Sequence, residues 1–233
     1  MKTGKRCIVN TQDAQINDVL RGYGFECIPV ITSDKVSRPI SAHSDVLYRK
    51  IGVNTIIISS CQKANEQLLR DYGYDVIIYD GMRPGYRKEC ALNFILTDDY
   101  LIYNPGTAMD PEMLNLGPGI TRIQVKQGYT GCSVSAIGKA AFITSDPGIY
   151  SRLRERQIDC YFFDNYEISL EGYDRGFIGG SSCMISDDML LIFGQIRDES
   201  VREGLEGFCS SHGVRVEYIR DKTVTDIGSA LIL

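Results

Sequence analysis

Eight cysteines and two histidines bound the chemistry open to this 233-residue chain. No two cysteines stand as C-x-x-C, and with two histidines no ligand pair falls at zinc spacing, so neither a metal site nor a cofactor is expected. Cys7, Cys27, Cys61 and Cys160 lie in or beside apolar β-like runs and read as inert core thiols. Cys132 differs, because it follows the polar, glycine-containing loop Lys126-Gln-Gly-Tyr-Thr-Gly131. A thiol there is open to solvent, and Lys126 or His43 nearby would lower its pKa and make it a nucleophile. The alternative is a small residue that fills space. Cys183, after Gly179-Gly-Ser-Ser182, is the second candidate thiol, and Cys90 the third. His43 has a carboxylate two residues on, at Asp45, and is either an acid/base group or a structural hydrogen-bonder. His212 sits between a helical pattern and Gly213 and reads as a C-terminal cap.

Residues so far apart in sequence need a fold that gathers them. Charged residues are 24% and hydrophobic ones 43%, which excludes a disordered chain, a collagen-like fibre and a supercharged nucleic-acid binder. The net charge of −5 gives no global attraction to phosphate, so no DNA partner is expected. No apolar run approaches the roughly 18 residues of a membrane span. The beginning, Met1-Lys-Thr-Gly-Lys-Arg6, runs into a short strand and not into a signal-peptide core, so a cytoplasmic location is expected.

The organisation is a fivefold repeat of strand, tight turn, strand, helix, strand. In the clearest copy, Asp45–Ile51 turns at Gly52-Val-Asn54 into Thr55–Ser59, then a helix over Lys63–Tyr72 stopped by Gly73, then Tyr74–Tyr79. The next begins at Cys90–Leu96, returns through Tyr100–Tyr103, starts a helix at Asp110-Pro111 and closes with Thr121–Val125. A third runs from Cys132 through Ala141–Thr144 and Asp146-Pro147 to Asp159–Phe163, and a fourth from Cys183 through Leu190–Phe193 and a helix near Glu199–Ser211 to Val214–Ile219. The two chain ends, Asp226–Leu233 and Lys5–Val30, together make the fifth. This predicts one domain over 1–233: an α/β, pseudo-fivefold propeller of ββαβ units, closed by the N- and C-terminal strands so that no long sheet edge is exposed. The alternative is an open α/β sandwich.

Polar and small residues collect where each first strand starts: His43 and Asp45, Asn93, Cys132 and Ser133, Ser181 and Ser182, Asp226 and Ser229. Equivalent positions of a ring face one another across its axis, and buried polar groups there each need a partner. This is the candidate site.

Five such units resemble the penteins, the superfamily of arginine deiminases, dimethylarginine hydrolases and glycine amidinotransferase, which also holds a non-catalytic ribosome anti-association factor. Ala42-His-Ser-Asp-Val46, Val125-Lys-Gln-Gly-Tyr-Thr-Gly-Cys-Ser133, Gly176-Phe-Ile-Gly-Gly-Ser181 and Asp226-Ile-Gly-Ser229 resemble more specifically an uncharacterised bacterial branch of that fold. The resemblance implies an enzyme acting on an amidino, guanidino or related C–N substrate, either a hydrolase or amidinotransferase-like. His43-Ser-Asp45 is similar to the family's His-x-Asp, which makes His43 the acid/base and puts Asp45 on the guanidinium. The family's nucleophilic cysteine lies two units further round, where Cys132 falls. Its substrate carboxylate lies one unit earlier, where Asp226 falls. Asn93, Lys126 and Ser181 complete the expected small-molecule site, with Lys126 meeting a distal anion or remaining a solvated loop charge. Arg83, Tyr86, Arg87 and Lys88 form either a basic rim or further loop charges. The family's Glu-Gly-Gly-Asp is absent: Asp226-Ile-Gly-Ser229 is its nearest counterpart, and Gly179-Gly180 follows Ile178. The alternative is therefore a non-catalytic pentein-fold protein binding a small molecule, or a protein or ribosomal surface.

Overall fold

The computed structural model describes residues 4–164 and 167–233. β1 (Lys5–Val9) and β2 (Phe25–Pro29) run parallel, connected by α1 (Ala14–Gly22). A helical turn, α2 (Ser44–Leu47), leads into β3 (Tyr48–Lys50), antiparallel to β4 (Thr55–Ser59), and α3 (Glu66–Asp71) returns the chain to β5 (Asp75–Tyr79), parallel to β4. The next unit has α4 (Tyr86–Glu89), β6 (Ile95–Leu96), β7 (Tyr100–Tyr103) and β8 (Thr121–Gln124). It is followed by α5 (Thr130–Ser133), β9 (Val134–Ile137), β10 (Ala141–Thr144), α6 (Pro147–Arg154) and β11 (Asp159–Phe162). The last consists of β12 (Ser182–Ser186), β13 (Met189–Ile192), α7 (Glu199–Ser211) and β14 (Arg215–Tyr218). Finally β15 (Ala230–Ile232) pairs antiparallel with β1, Cys7 opposite Ile232, so the first sheet is built from both chain ends.

Among the described residues each sheet thus has three strands, with an antiparallel pair followed by a parallel pair, and the five sheets are separate. The middle strands read as apolar runs, such as Ile56-Ile-Ile58 and Met189-Leu-Leu-Ile192, because they have a strand on either side and are covered on both faces. Apolar clusters form between successive units: Val46 and Ile56 with Leu92 and Leu101, Ile102 with Phe142, Ile143 with Leu190, and Leu191 with Cys7. No helix among the described residues is long and apolar enough to cross a membrane.

Asp13, Asp146 and Asp198 each accept a backbone N–H of the first turn and so start α1, α6 and α7, with Pro147 as first helical residue of α6. His212 caps the end of α7. Asp110-Pro111 starts only a 3₁₀ turn over Pro111–Leu114. Asn115, left-handed at φ 48°, ends it, and Gly117-Pro-Gly119 follows. The first strands β3, β6, β9 and β15 also begin later than the sequence pattern predicts, whereas β12 begins at Ser182 as expected to within a residue. Residues 44–47 and 130–133 coil into single turns, Leu47 N–H donating to His43 C=O and Ser133 N–H to Tyr129 C=O. Coiling takes these residues out of the sheet ladders and frees their other polar groups for neighbouring units.

Candidate functional site

Those freed groups link all five units in chain order. Asn93 Nδ2 donates to the Asp45 carbonyl at 2.9 Å. Cys132 N–H donates to Asn93 Oδ1 at 3.1 Å, and Gly131 N–H to the Asn93 carbonyl at 3.3 Å. Gly180 N–H then donates to the Cys132 carbonyl at 3.0 Å, and the Gly180 carbonyl accepts Ser229 N–H at 2.7 Å. Asp45 N–H donates back to the Gly228 carbonyl at 3.0 Å. The circuit runs from the unit of Asp45 through those of Asn93, Cys132 and Gly180 to the chain-end unit, and returns.

Inside it stand His43, Asp45, Cys132 and Asp226, exposed by 2, 7, 3 and 4%. His43 Nδ1 lies 3.9 Å from Asp45 Oδ1 and 3.8 Å from Asp226 Oδ1. Asp226 is held by the backbone, Oδ2 accepting Phe177 N–H at 2.9 Å and Oδ1 accepting Gly228 N–H at 3.0 Å. Cys132 Sγ accepts Asn93 Nδ2 at 3.1 Å. His43 Nδ1 and both carboxylate oxygens of Asp45, by contrast, are buried without a hydrogen-bond partner.

Two glycines make the packing possible. A Cβ at Gly180 would stand 2.0 Å from Asp226 Oδ1. At Gly228, where φ is +78°, it would stand 2.3 Å from the His43 Cβ.

Sequence reasoning did not single out Arg49. Its Nε donates to the Leu92 carbonyl at 3.0 Å and its Nη2 to the Asp45 carbonyl at 2.9 Å, and its guanidinium lies 5.4 Å from the Phe94 ring centre. A charged residue one place after the buried run Val46-Leu-Tyr48 was the available signal. Asp45 and Arg49 open onto a cavity of about 240 Å³, which Ser135, Ser182, Met184 and Ser229 also line. Its walls come from all five units.

Electrostatically the cluster is short of positive charge. Burial pushes the Asp226 carboxyl up to about 6; Asp45 adds to the rise, while His43 and the two backbone N–H groups oppose it. Burial also pushes the Cys132 thiol well up, followed by the charges of Asp45 and Asp226 and the pull of the Asp45 carboxylate on its S–H, with the Asn93 hydrogen bond acting the other way. The expectation of a solvent-open thiol with a lowered pKa is corrected accordingly. Burial lowers the Arg49 pKa, and Asp45 and Cys132 hold it up.

His43, Asp45, Asn93, Cys132 and Asp226 come together here; Lys126 and Ser181 do not join them. Lys126 is exposed on the wall of a separate surface cleft with Tyr86, Asp146 and Arg152, its carbonyl accepting Asn104 Nδ2. Ser181 is fully buried, and its hydroxyl donates to the Ile178 carbonyl at 3.2 Å. Cys183 and Cys90 are buried too, and burial raises both thiols, Cys90 to about 12.

A model described as "Family of unknown function (DUF6873)" matches residues 8–231. Comparison with curated proteins finds no match. Among solved structures, DDAH from Pseudomonas aeruginosa in complex with citrulline aligns over 99% of each chain, with TM-score 0.60 and 10% identity. An amidinotransferase of saxitoxin biosynthesis from Microseira wollei aligns over 88% of this chain and 73% of its own, with TM-score 0.55 and 10% identity. The agmatine deiminase of C. jejuni aligns over 93% and 88%, with TM-score 0.53 and 8% identity. At these identities the likeness is one of fold, that of the pentein superfamily.

Proposed function

The chain belongs to the DUF6873 family, a family of unknown function, and from that premise we propose that it is a small-molecule enzyme acting on an amidino, guanidino or related C–N substrate through Cys132 and His43. We read it as one domain in which the five units form a propeller-like ring. The circuit of hydrogen bonds, the apolar packing between successive units and the five-sided lining of the cavity support that reading.

The observation that carries the functional reading is the buried carboxylate of Asp45, beside His43 Nδ1 and Cys132, Asp45 being the one of the three that lines the cavity. Buried carboxylate oxygens without a donor are costly, on the order of several kcal/mol. A planar cation carrying N–H groups, entering the cavity, removes that cost. The same cation neutralises the carboxylates that hold the Cys132 proton on, so the thiol ionises when substrate is bound and not before.

The chemistry then proceeds in two steps. Cys132 passes its proton to His43, Sγ attacks the planar carbon, the C–N bond to the departing amine breaks, and His43 gives that nitrogen the proton. His43 next takes a proton from water, or from an acceptor amine, which adds to the same carbon. The C–S bond then breaks and His43 returns its proton to Sγ, leaving a carbonyl product after hydrolysis or a new amidino compound after transfer. General acid–base catalysis of this kind contributes about 10²–10⁴ in rate.

The experiment is site-resolved iodoacetamide labelling of Cys132 between about pH 5 and about pH 9, with and without arginine, agmatine and simple amidines. Little labelling is expected at neutral pH in the free protein. A bound guanidino compound small enough to leave Sγ accessible should speed it, and Asp45→Asn should speed it without any ligand. His43→Ala should abolish product formation while leaving binding. A Cys132 indifferent to Asp45, His43 and every compound tested would overturn the proposal. A second reading, binding of the same cations without catalysis, is favoured by the raised thiol pKa; it predicts ligand-induced thermal stabilisation with neither product nor thioether-type adduct.

A further inference from the structure

We propose that His43, Asp45 and Cys132 form a three-ligand site for a thiophilic divalent cation of the Zn²⁺ class, a reading that does not depend on the guanidino chemistry. One ligand atom from each of the three residues lies within 4.8 Å of the other two. The residues come from separate units, His43 and Asp45 at the start of α2 and Cys132 in α5, and the hydrogen-bond circuit fixes their separation. Zn²⁺ bonds to sulfur, nitrogen and oxygen of about 2.0–2.3 Å place neighbouring ligand atoms roughly 3.5 Å apart. Closing the site therefore requires ligand movements of about 1 Å, within the reach of side-chain torsions.

Several further features point to a metal ion. Among the described residues His43 Nδ1 and the Asp45 oxygens have no hydrogen-bond partner apart from the Cys132 thiol beside the carboxylate. Thiolate, imidazole and carboxylate together form a sulfur–nitrogen–oxygen set that suits Zn²⁺, whereas Mg²⁺ and Ca²⁺ take oxygen ligands. Asn93 Nδ2 donates to the Cys132 sulfur and is placed to orient it. Three protein ligands leave one tetrahedral position, and Asp45 reaches the cavity from which water can fill it. The charges close as well. Cys132 thiolate, Asp45 and Asp226 oppose the single cation Arg49, and a divalent ion brings the buried group to neutrality while the thiol proton leaves to solvent.

The test is titration of metal-stripped protein with Co²⁺ as a spectroscopic probe, followed by Zn²⁺. Expected are one Co²⁺ per chain, a thiolate-to-cobalt charge-transfer band in the near ultraviolet, tetrahedral ligand-field bands in the visible, and their loss on adding one equivalent of Zn²⁺. Cys132→Ser should lose the charge-transfer band while circular dichroism shows the fold intact, and His43→Ala should lose the ligand-field bands. Asp45→Asn should bind at least about 10-fold more weakly. Cys7 and Cys27, whose sulfurs lie 3.9 Å apart, are the competing thiol pair, so Cys27→Ser should bind as the native protein does. A folded native protein without a thiolate–cobalt band, or a band that survives Cys132→Ser or disappears with Cys27→Ser, would overturn the assignment. Absorption is read here, not labelling or turnover, so this proposal and the enzymatic one fail separately.

Discussion

Replacing Asp226 by Asn isolates what a buried, partly protonated carboxyl does to stability. The side chain is 1% exposed, and its burial raises the pKa to about 6 from an ordinary 3.8. The folded protein then holds this proton more tightly than the unfolded chain does. The stability contributed is fully present below about pH 4 and is lost as the pH rises through about 6. At 1.36 kcal/mol per unit the shift is worth about 3 kcal/mol, of which about 2 kcal/mol falls between about pH 4 and about pH 7. Asparagine does not titrate and lacks this slope. It also offers one carbonyl to the two N–H groups of Phe177 and Gly228, leaving one unpaired at a cost of about 1–3 kcal/mol that does not vary with pH. Urea denaturation of both proteins across that range gives the comparison. The stability of the native protein minus that of Asp226→Asn should fall by about 2 kcal/mol as pH rises. Exposed carboxylates held low, such as Asp80 and Asp198, titrate in the opposite sense but cancel in the subtraction. A difference that stays flat, or that moves toward the native protein with rising pH, refutes the reasoning.

Two further substitutions probe the frame around the site. Gly180→Ala puts a methyl group where Asp226 Oδ1 now stands and displaces the carboxylate from both N–H groups; a loss of roughly 3 kcal/mol is expected in urea denaturation, and a loss below about 0.5 kcal/mol would show that the contact relaxes freely. Arg49→Met keeps most of the side-chain volume but removes the donor to the Leu92 carbonyl and one of two donors to the Asp45 carbonyl. About 2 kcal/mol should be lost, together with the Asp45-dependent labelling behaviour of Cys132, whereas unchanged labelling would separate Arg49 from the site.

The repeat was legible because each unit carries the same succession of a polar start, a tight turn, an apolar middle strand and a half-exposed last strand. Asp146-Pro147 and the Cβ-free Gly73 punctuate it in the same way. The helical turns at Ser44–Leu47 and Thr130–Ser133 were not legible, since four residues are too few for a helical period and their conformation is stabilised by hydrogen bonds to other units. Arg49 was hidden for a related reason. In sequence Tyr48-Arg-Lys50 looks like an outward-facing strand end, and only the approach of Leu92 and Asn93 from the next unit turns its guanidinium into an internal clamp. Lys126 illustrates the converse. Adjacency to Cys132 suggested the site, but Val125 takes the buried position and leaves Lys126 outside.

The division of labour among the atoms at the centre argues for a ligand more strongly than the residue types alone. Backbone carbonyls of Asp45, Asn93, Cys132, Gly180 and Gly228 all accept hydrogen bonds from another unit, and of the side chains in the cluster this cohesion uses Asn93. Asn93 and Asp226 satisfy backbone N–H groups, and Asn93 also donates to Sγ. Among the described residues Asp45 Oδ1 and Oδ2 and His43 Nδ1 are left over at this place, with the Cys132 thiol beside the carboxylate. A fold selected for packing alone gains stability by putting apolar groups there, often by 1–4 kcal/mol relative to buried ionic groups. Retaining two adjacent unpaired acceptor groups beside a thiol, in a frame already rigid without them, is the arrangement expected of a protein that meets a cation at that point. Organic and metal cations satisfy the same atoms, and the sulfur distinguishes them: it forms a carbon bond with one and a coordinate bond with the other.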